Sequence, residues 1–235
     1  MIFVTSDIHG YPLERFLARL EKAGFGPDDR LYVIGDVIDR NGDGGVAMLR
    51  WIIAQPNVTL LRGNHENMLL DCSFLFSTEP QFSGYESLSE QQECSLLLWH
   101  RNGGIVTIQN LMKLQEEDPA AVPALLDYIR ATPLWAEVSV PMKRFVLVHG
   151  GLDRFRPDRP LEDYTADELV WTRPALTDRY WDDRLVILGH TPTRYYGEPD
   201  RMLVTPTWID IDTGAAAGGS PMILRLEDMY PFYEE

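Results

Sequence analysis

Five short segments of this 235-residue chain carry side chains suited to binding a cation or a phosphate. In Thr5-Ser6-Asp7-Ile8-His9-Gly10, a carboxylate and an imidazole stand two residues apart, a spacing that sends both from one face of an extended backbone. Gly35-Asp36-Val37-Ile38-Asp39-Arg40 puts Asp36 at the end of an apolar run, where one carboxylate can bridge two cations, and leaves Asp39 and Arg40 free for other roles. In Arg62-Gly63-Asn64-His65-Glu66 the Asn64 amide oxygen suits a hard cation, while the adjacent His65 points elsewhere and stays protonatable. Val148-His149-Gly150-Gly151 and Leu188-Gly189-His190-Thr191 each end an apolar run in a histidine. Four of the five histidines fall at such places, and only His100 does not. Singly, each segment has an ordinary explanation as a turn or a helix start. Their coincidence argues for one site that binds metal or phosphate.

The elements that must hold these residues are legible as short apolar runs. Ile2–Val4, Leu31–Ile34 and Val58–Leu61 read as strands, and helical spacing follows the first two, at Leu13, Phe16, Leu17, Leu20 and at Val46, Leu49, Ile52, Ile53. Strands alternating with helices predict βαβ units and a largely parallel sheet. Residues from about 66 to 131 show helical periods at Leu96–Trp99 and at Val122, Leu125, Leu126 and Ile129, which predicts a helical insertion. Strands return in Phe145–Val148, Leu185–Leu188, Trp208–Ile211 and Ile223–Leu226, with a long loop over Asp153–Tyr164. No linker divides residues 1–235, so a single domain is expected.

The order D-x-H, G-D-x-x-D-R, R-G-N-H-E, H-G-G, G-H-T resembles the calcineurin-like metallophosphoesterases, specifically the phosphoprotein phosphatase branch with its bacterial and phage members. The resemblance implies an α/β fold, a four-layer α/β/β/α sandwich with two central mixed sheets and the metal site at the C-terminal ends of the strands. It implies that Asp7, His9 and Asp36 bind one ion, and that Asp36, Asn64, His149 and His190 bind a second. His65, oriented by Asp39, would protonate the leaving oxygen, while Arg40 and Arg173 would hold the phosphate. The ions are expected to be two divalent metals, manganese first, with iron, zinc or cobalt also compatible with mixed carboxylate, amide and imidazole ligands. A metal-bridging hydroxide would attack in line. A positioned acid such as His65 contributes about 10²–10⁴-fold to such a step.

Composition bounds the partners. With 21 Lys and Arg against 36 Asp and Glu, the formal charge of −15 opposes a broad nucleic-acid groove. A phosphorylated protein or a small phosphoester remains compatible, because bound cations and a few arginines reverse the local potential. Only two cysteines, Cys72 and Cys94, are present, and neither an export signal nor a membrane span is visible, so cytoplasmic location is expected and oligomeric state is left open. The leading expectation is a serine/threonine protein phosphatase with broad phosphomonoesterase activity. A dinucleoside tetraphosphate hydrolase shares the same motifs, and a non-catalytic phosphate-binding module is the reading from another class. Arg62 and Glu66 read as loop supports, Asp212 as a strand-end turn or a carboxylate behind the ligands, and His100 as a residue at a helix C-terminus. Tryptophans and methionines at helical spacing read as core.

Overall fold

The computed structural model describes residues 1–77 and 88–234. Part of the expected helical stretch, residues 78–87, lies outside the described residues. The chain runs β1 (Ile2–Thr5), α1 (Leu13–Lys22), β2 (Arg30–Ile34), α2 (Val46–Ala54), β3 (Val58–Leu61) and α3 (Asn64–Asp71). It continues through α4 (Glu90–Arg101), α5 (Ile105–Glu117), α6 (Ala121–Ala131), β4 (Trp135–Val140), β5 (Lys143–Val148), α7 (Ala166–Val170) and β6 (Leu185–Leu188). The last elements are β7 (Leu203–Val204), β8 (Trp208–Asp210), β9 (Ile223–Arg225) and β10 (Tyr230–Phe232).

Two mixed five-stranded sheets result. The first has the order β10-β9-β1-β2-β3, and the second β4-β5-β6-β8-β7. In each, the three strands that lead to the candidate site residues or lie beside them run parallel, and antiparallel strands flank them.

Period-two alternation inside the apolar runs explains the layers. Phe3, Val33 and Leu60 point to one side of the first sheet, where they pack with Phe16 and Leu20 of α1, Leu49 and Ile52 of α2, and Ile129 of α6. Their neighbours Val4, Ile34 and Leu61 point to the other side, against Phe145, Leu147, Ile187 and Ile209 of the second sheet. The far face of the second sheet, with Val146, Val148, Val186 and Leu188, is covered by Leu152, Leu161, Leu169 and Tyr180, so its outer layer is mostly loop plus the short α7. This is the expected α/β/β/α sandwich with one thin outer layer. Both sheets bury both faces, which is why their strands read as unbroken apolar runs.

Three strands are weak or hidden in the sequence. β7 has two residues, β10 contains Pro231, and β4 (Trp135–Val140) has Glu137 and Ser139 exposed on an edge. All three lie at sheet edges, where half-solvated strands lose the apolar signature. Among the described residues no helix is long and apolar enough to cross a membrane.

Candidate metal centre

β1 and β2 lie parallel with Thr5 beside Val33, so the segments that leave them emerge side by side. Backbone bonds carry the pairing onward, from Asp7 N to Gly35 O at 3.1 Å, His9 N to Asp36 O at 2.9 Å and Gly10 N to Val37 O at 3.0 Å. The extended backbone expected for Asp7-Ile8-His9 is not what brings its side chains together. Asp7 has φ of 50° and His9 of 45°, both left-handed, and this double kink leaves Asp7 Oδ1 3.8 Å from His9 Nε2. Asp36, Asp39, Arg40 and His190 are left-handed as well, at φ of 55°, 77°, 70° and 67°. Such conformations cost of order 1 kcal/mol or more each in non-glycine residues, and their gathering here marks a site whose surroundings over-determine it.

The third segment is helix rather than loop: Asn64 and His65 form the first turn of α3. His65 N donates to Asp36 Oδ1 at 3.0 Å, placing that carboxylate on the positive end of the helix. Glu66, three residues past the cap, accepts from Gly63 N at 2.9 Å, Asp36 N at 2.9 Å and Val37 N at 2.8 Å. One buried carboxylate thus satisfies three backbone donors and joins the second segment to the third, a structural task in line with its expected support role. Gly63 is required there, because a Cβ would strike Asp36 Oδ1.

Two imidazoles are pinned by main-chain carbonyls. His9 Nδ1 donates to Ile38 O at 3.0 Å and His149 Nδ1 to Ile34 O at 2.8 Å, which turns each Nε2 inward. His149 Nε2 lies 2.9 Å from Asn64 Oδ1 and 3.2 Å from Asp36 Oδ1. His9 Nε2 lies 3.6 Å from Asp36 Oδ2. His190 is anchored by its backbone N–H, which donates to Asp7 Oδ2 at 2.9 Å, and its buried Nε2 has no hydrogen-bond partner. The first segment of the chain and the last are thereby joined through Asp7.

Donor atoms of His9, Asp36 and His65 lie within 4.8 Å of one another, as do those of Asp36, His149 and His190. Asp36 belongs to both groups, with one oxygen toward each. His65 does not point away, as expected from sequence, but over the cluster: its Nε2 is 3.7 Å from Asp36 Oδ2 and its ring meets that of His9 edge-on.

Electrostatics favour added positive charge at this centre. Burial drives His9 down to about 3 and His190 to about 2, so both rings are neutral at pH 7 with a lone pair to donate. Burial opposes a charge on His149 too, but Asp36 and Asp7 overcome it and hold its pKa at about 10. Asp36, although burial pushes its pKa up, is kept well below the usual carboxylate range by His149 and His65. Asp7 is raised, by burial first. A proton on His149, facing two oxygens, thus neutralises part of a buried acidic cluster. An orphaned imidazole nitrogen, inward-facing lone pairs and a shared carboxylate fit divalent cations, which would supply that charge instead.

Behind His65 stands a second assembly. His65 Nδ1 meets Asp39 Oδ2 at 2.6 Å, and Asp39 also accepts from Trp99 Nε1 at 2.7 Å and Thr107 Oγ1 at 2.5 Å. Asp36 and Asp39 overcome burial to raise the His65 pKa. Trp99, which the sequence presents as core, is fully buried but also orients Asp39, and no motif marks Thr107. Both come from α4 and α5, far from the motifs in sequence, and helical periodicity records burial without recording where a polar tip points.

The cluster floors a cavity of about 570 Å³ that Arg40, Arg173 and Asp212 also line. Arg40 Nη2 is 3.5 Å from His65 Nε2, and Arg173 Nη1 donates to Thr191 Oγ1 at 3.0 Å and His190 O at 3.3 Å. A larger hollow of about 680 Å³ adjoins across Trp171 and Arg173 but contains none of the cluster's donors. Asp212 does both things weighed for it: Oδ1 accepts from Gly214 N at 2.9 Å in a turn, and its buried side chain borders the cavity. Burial, then the charge of Asp7, raises its pKa well above the ordinary value. His100 lies exposed in the last turn of α4.

The family model described as calcineurin-like phosphoesterase matches residues 1–211. Among solved structures, the fold is similar to that of a protein provisionally described as a diadenosine tetraphosphatase, at 16% identity and TM-score 0.62, covering 98% of this chain and 90% of that one. A serine/threonine phosphatase from Saccharomyces cerevisiae is similar at 17% identity and TM-score 0.52, covering 100% and 80%. A cold-active protein-tyrosine phosphatase of a psychrophilic Shewanella species is similar at 16% identity and TM-score 0.51, covering 100% and 80%. No curated protein matches the chain. At these identities the likeness is one of fold.

Proposed function

This chain belongs to the calcineurin-like phosphoesterases, metal-dependent hydrolases, and from that premise we propose that it is a dinuclear phosphomonoesterase of the serine/threonine protein phosphatase type, with broad substrate range. The observation that carries the reading is Asp36, shared between two donor groups that otherwise use different histidines. Two divalent cations, manganese by preference, would supply an activated water and neutralise charge on the phosphoryl oxygens. In this reading Asp7, His9 and Asp36 hold one cation, and Asp36, Asn64, His149 and His190 the other. Arg40 and Arg173 grip the phosphate, since a guanidinium fork matches paired phosphate oxygens. His65 gives its Nε2 proton to the leaving oxygen while Asp39 holds the ring by Nδ1. The whole described chain is read as one catalytic unit with a helical insertion near residues 66–131. Cys72 and Cys94 are both free, which suits the reducing cytoplasm.

The dinucleoside tetraphosphate reading rests on fold similarity to the tetraphosphatase and on the adjoining hollow. Metal-stripped protein titrated with manganese should gain phosphopeptidase activity that saturates at two ions per chain. Saturation at one ion would remove the dinuclear reading, and strong preference for diadenosine tetraphosphate over phosphopeptides would reverse the ranking of substrates.

A further inference from the structure

Besides its floor of donors, the cavity has a wall that takes no part in the chemistry above. Pro174, Pro192, Tyr195, Tyr196 and Ala217 form it, and none carries a charge, in a chain of net −15. Tyr196 is fixed in place: its hydroxyl donates to Pro174 O at 2.8 Å and its ring packs against Trp208 with centroids 5.9 Å apart. Tyr195 is different. It is 76% exposed, a large ring left in water at the rim of a catalytic cavity. Its backbone N–H donates to Pro192 O at 2.9 Å within the single helical turn Thr193–Tyr196, so the short segment that presents His190 also places this ring.

We propose that Tyr195, with Pro174 and Pro192, is a leaving-group subsite for a flat aromatic ring, so that aryl phosphate monoesters of the phosphotyrosyl kind bind better than alkyl ones. The proposal rests on the hydrolase reading of the floor and names the leaving group it prefers. Burial is one reason: Asp36, His9 and His65 are 2%, 3% and 2% exposed, so the phosphate is met by a floor closed to solvent, while the leaving group is left to the open side where Tyr195 stands. An aryl ester places an apolar ring where it stacks on tyrosine and proline, whereas a phosphoseryl ester stays within the broad substrate range but has no ring to gain that contact. Charge is the other. The cations lining the cavity, among the described residues, are Arg40 and Arg173, both engaged with the reacting phosphate, and Asp212 borders the same space. Within this cavity a polyphosphate chain would bring further negative charge with no third arginine to receive it; Arg154 and Arg179 line the adjoining hollow instead.

The test measures kcat/KM of the manganese-loaded enzyme for phenyl phosphate, cyclohexyl phosphate and diadenosine tetraphosphate, and for phosphotyrosyl and phosphoseryl peptides of one sequence. Each is run on the wild type, Tyr195→Ala and Tyr195→Phe. Comparing variants cancels the intrinsic difference in leaving-group reactivity. The aryl-to-alkyl ratio should fall on the order of tenfold in Tyr195→Ala, through KM, and return in Tyr195→Phe. Equal losses on phenyl and cyclohexyl phosphate would overturn the proposal, as would a loss confined to the dinucleotide. A wild type inactive on every phosphoester would take down the hydrolase reading together with it.

Discussion

The floor of the cavity and its rim are built by opposite rules. On the floor, Asp36, His9, His65 and His149 are almost fully buried, each is held by at least one backbone or side-chain partner, and much of the surrounding backbone is left-handed. At the rim, Arg40, Arg173 and Tyr195 are exposed, and Arg173 is tied, among the described residues, to the carbonyl of His190 and the hydroxyl of Thr191. Chemistry that depends on sub-ångström placement is assigned to the over-determined part, and substrate fit to the part free to adapt. Floor lesions should therefore appear in kcat and rim lesions in KM.

The largest expected break of that contrast is His65→Asn. It should retain manganese stoichiometry while kcat falls about 10²–10⁴-fold, the worth of a positioned acid. The wild type should also lose kcat/KM as pH rises through the elevated His65 pKa, because the acid must be protonated to act, and that alkaline limb should vanish in the variant. A pH–rate profile beside a metal assay decides it, and an undiminished rate would remove His65 from the reaction. A smaller effect should follow from Trp99→Phe, which keeps an aromatic ring in the buried position, at the cost of some packing, and deletes one donor to Asp39. Outer partners of this kind are worth about 10–100-fold, so a drop near tenfold in kcat with KM unchanged would extend the floor to α4. A change in KM alone would return Trp99 to the core. The smallest effect belongs to the rim: Arg173→Lys keeps the charge but loses the fork, and KM should rise about three- to tenfold with kcat nearly constant. If kcat fell instead, Arg173 would have to be counted with the floor.

The two regions also differ in how far the sequence revealed them. Asp7, His9, Asp36, Asn64, His149 and His190 stood out because each lies just past an apolar strand, and parallel strands deliver their C-terminal ends to one edge. The structure gathers all six. Left-handed φ values, rather than the extended run that the two-residue spacing predicts, bring Asp7 and His9 together. Trp99 and Thr107 were invisible because they reach Asp39 across 60 and 68 residues, from helices whose periodicity reports only a buried face. Tyr195 was invisible because an exposed aromatic has no pattern to break.

The sequence by itself determined the ligand types, their order and the alternation of strand and helix, all of which are written in local spacing. Tertiary structure decided which oxygen of Asp36 faces which histidine, that His65 lies over the cluster, and that Asp39 is held by α4 and α5. Such facts depend on how two sheets and a group of helices converge. Contacts between residues distant in the chain leave no period in it, and only packing selects among the directions a side chain can take.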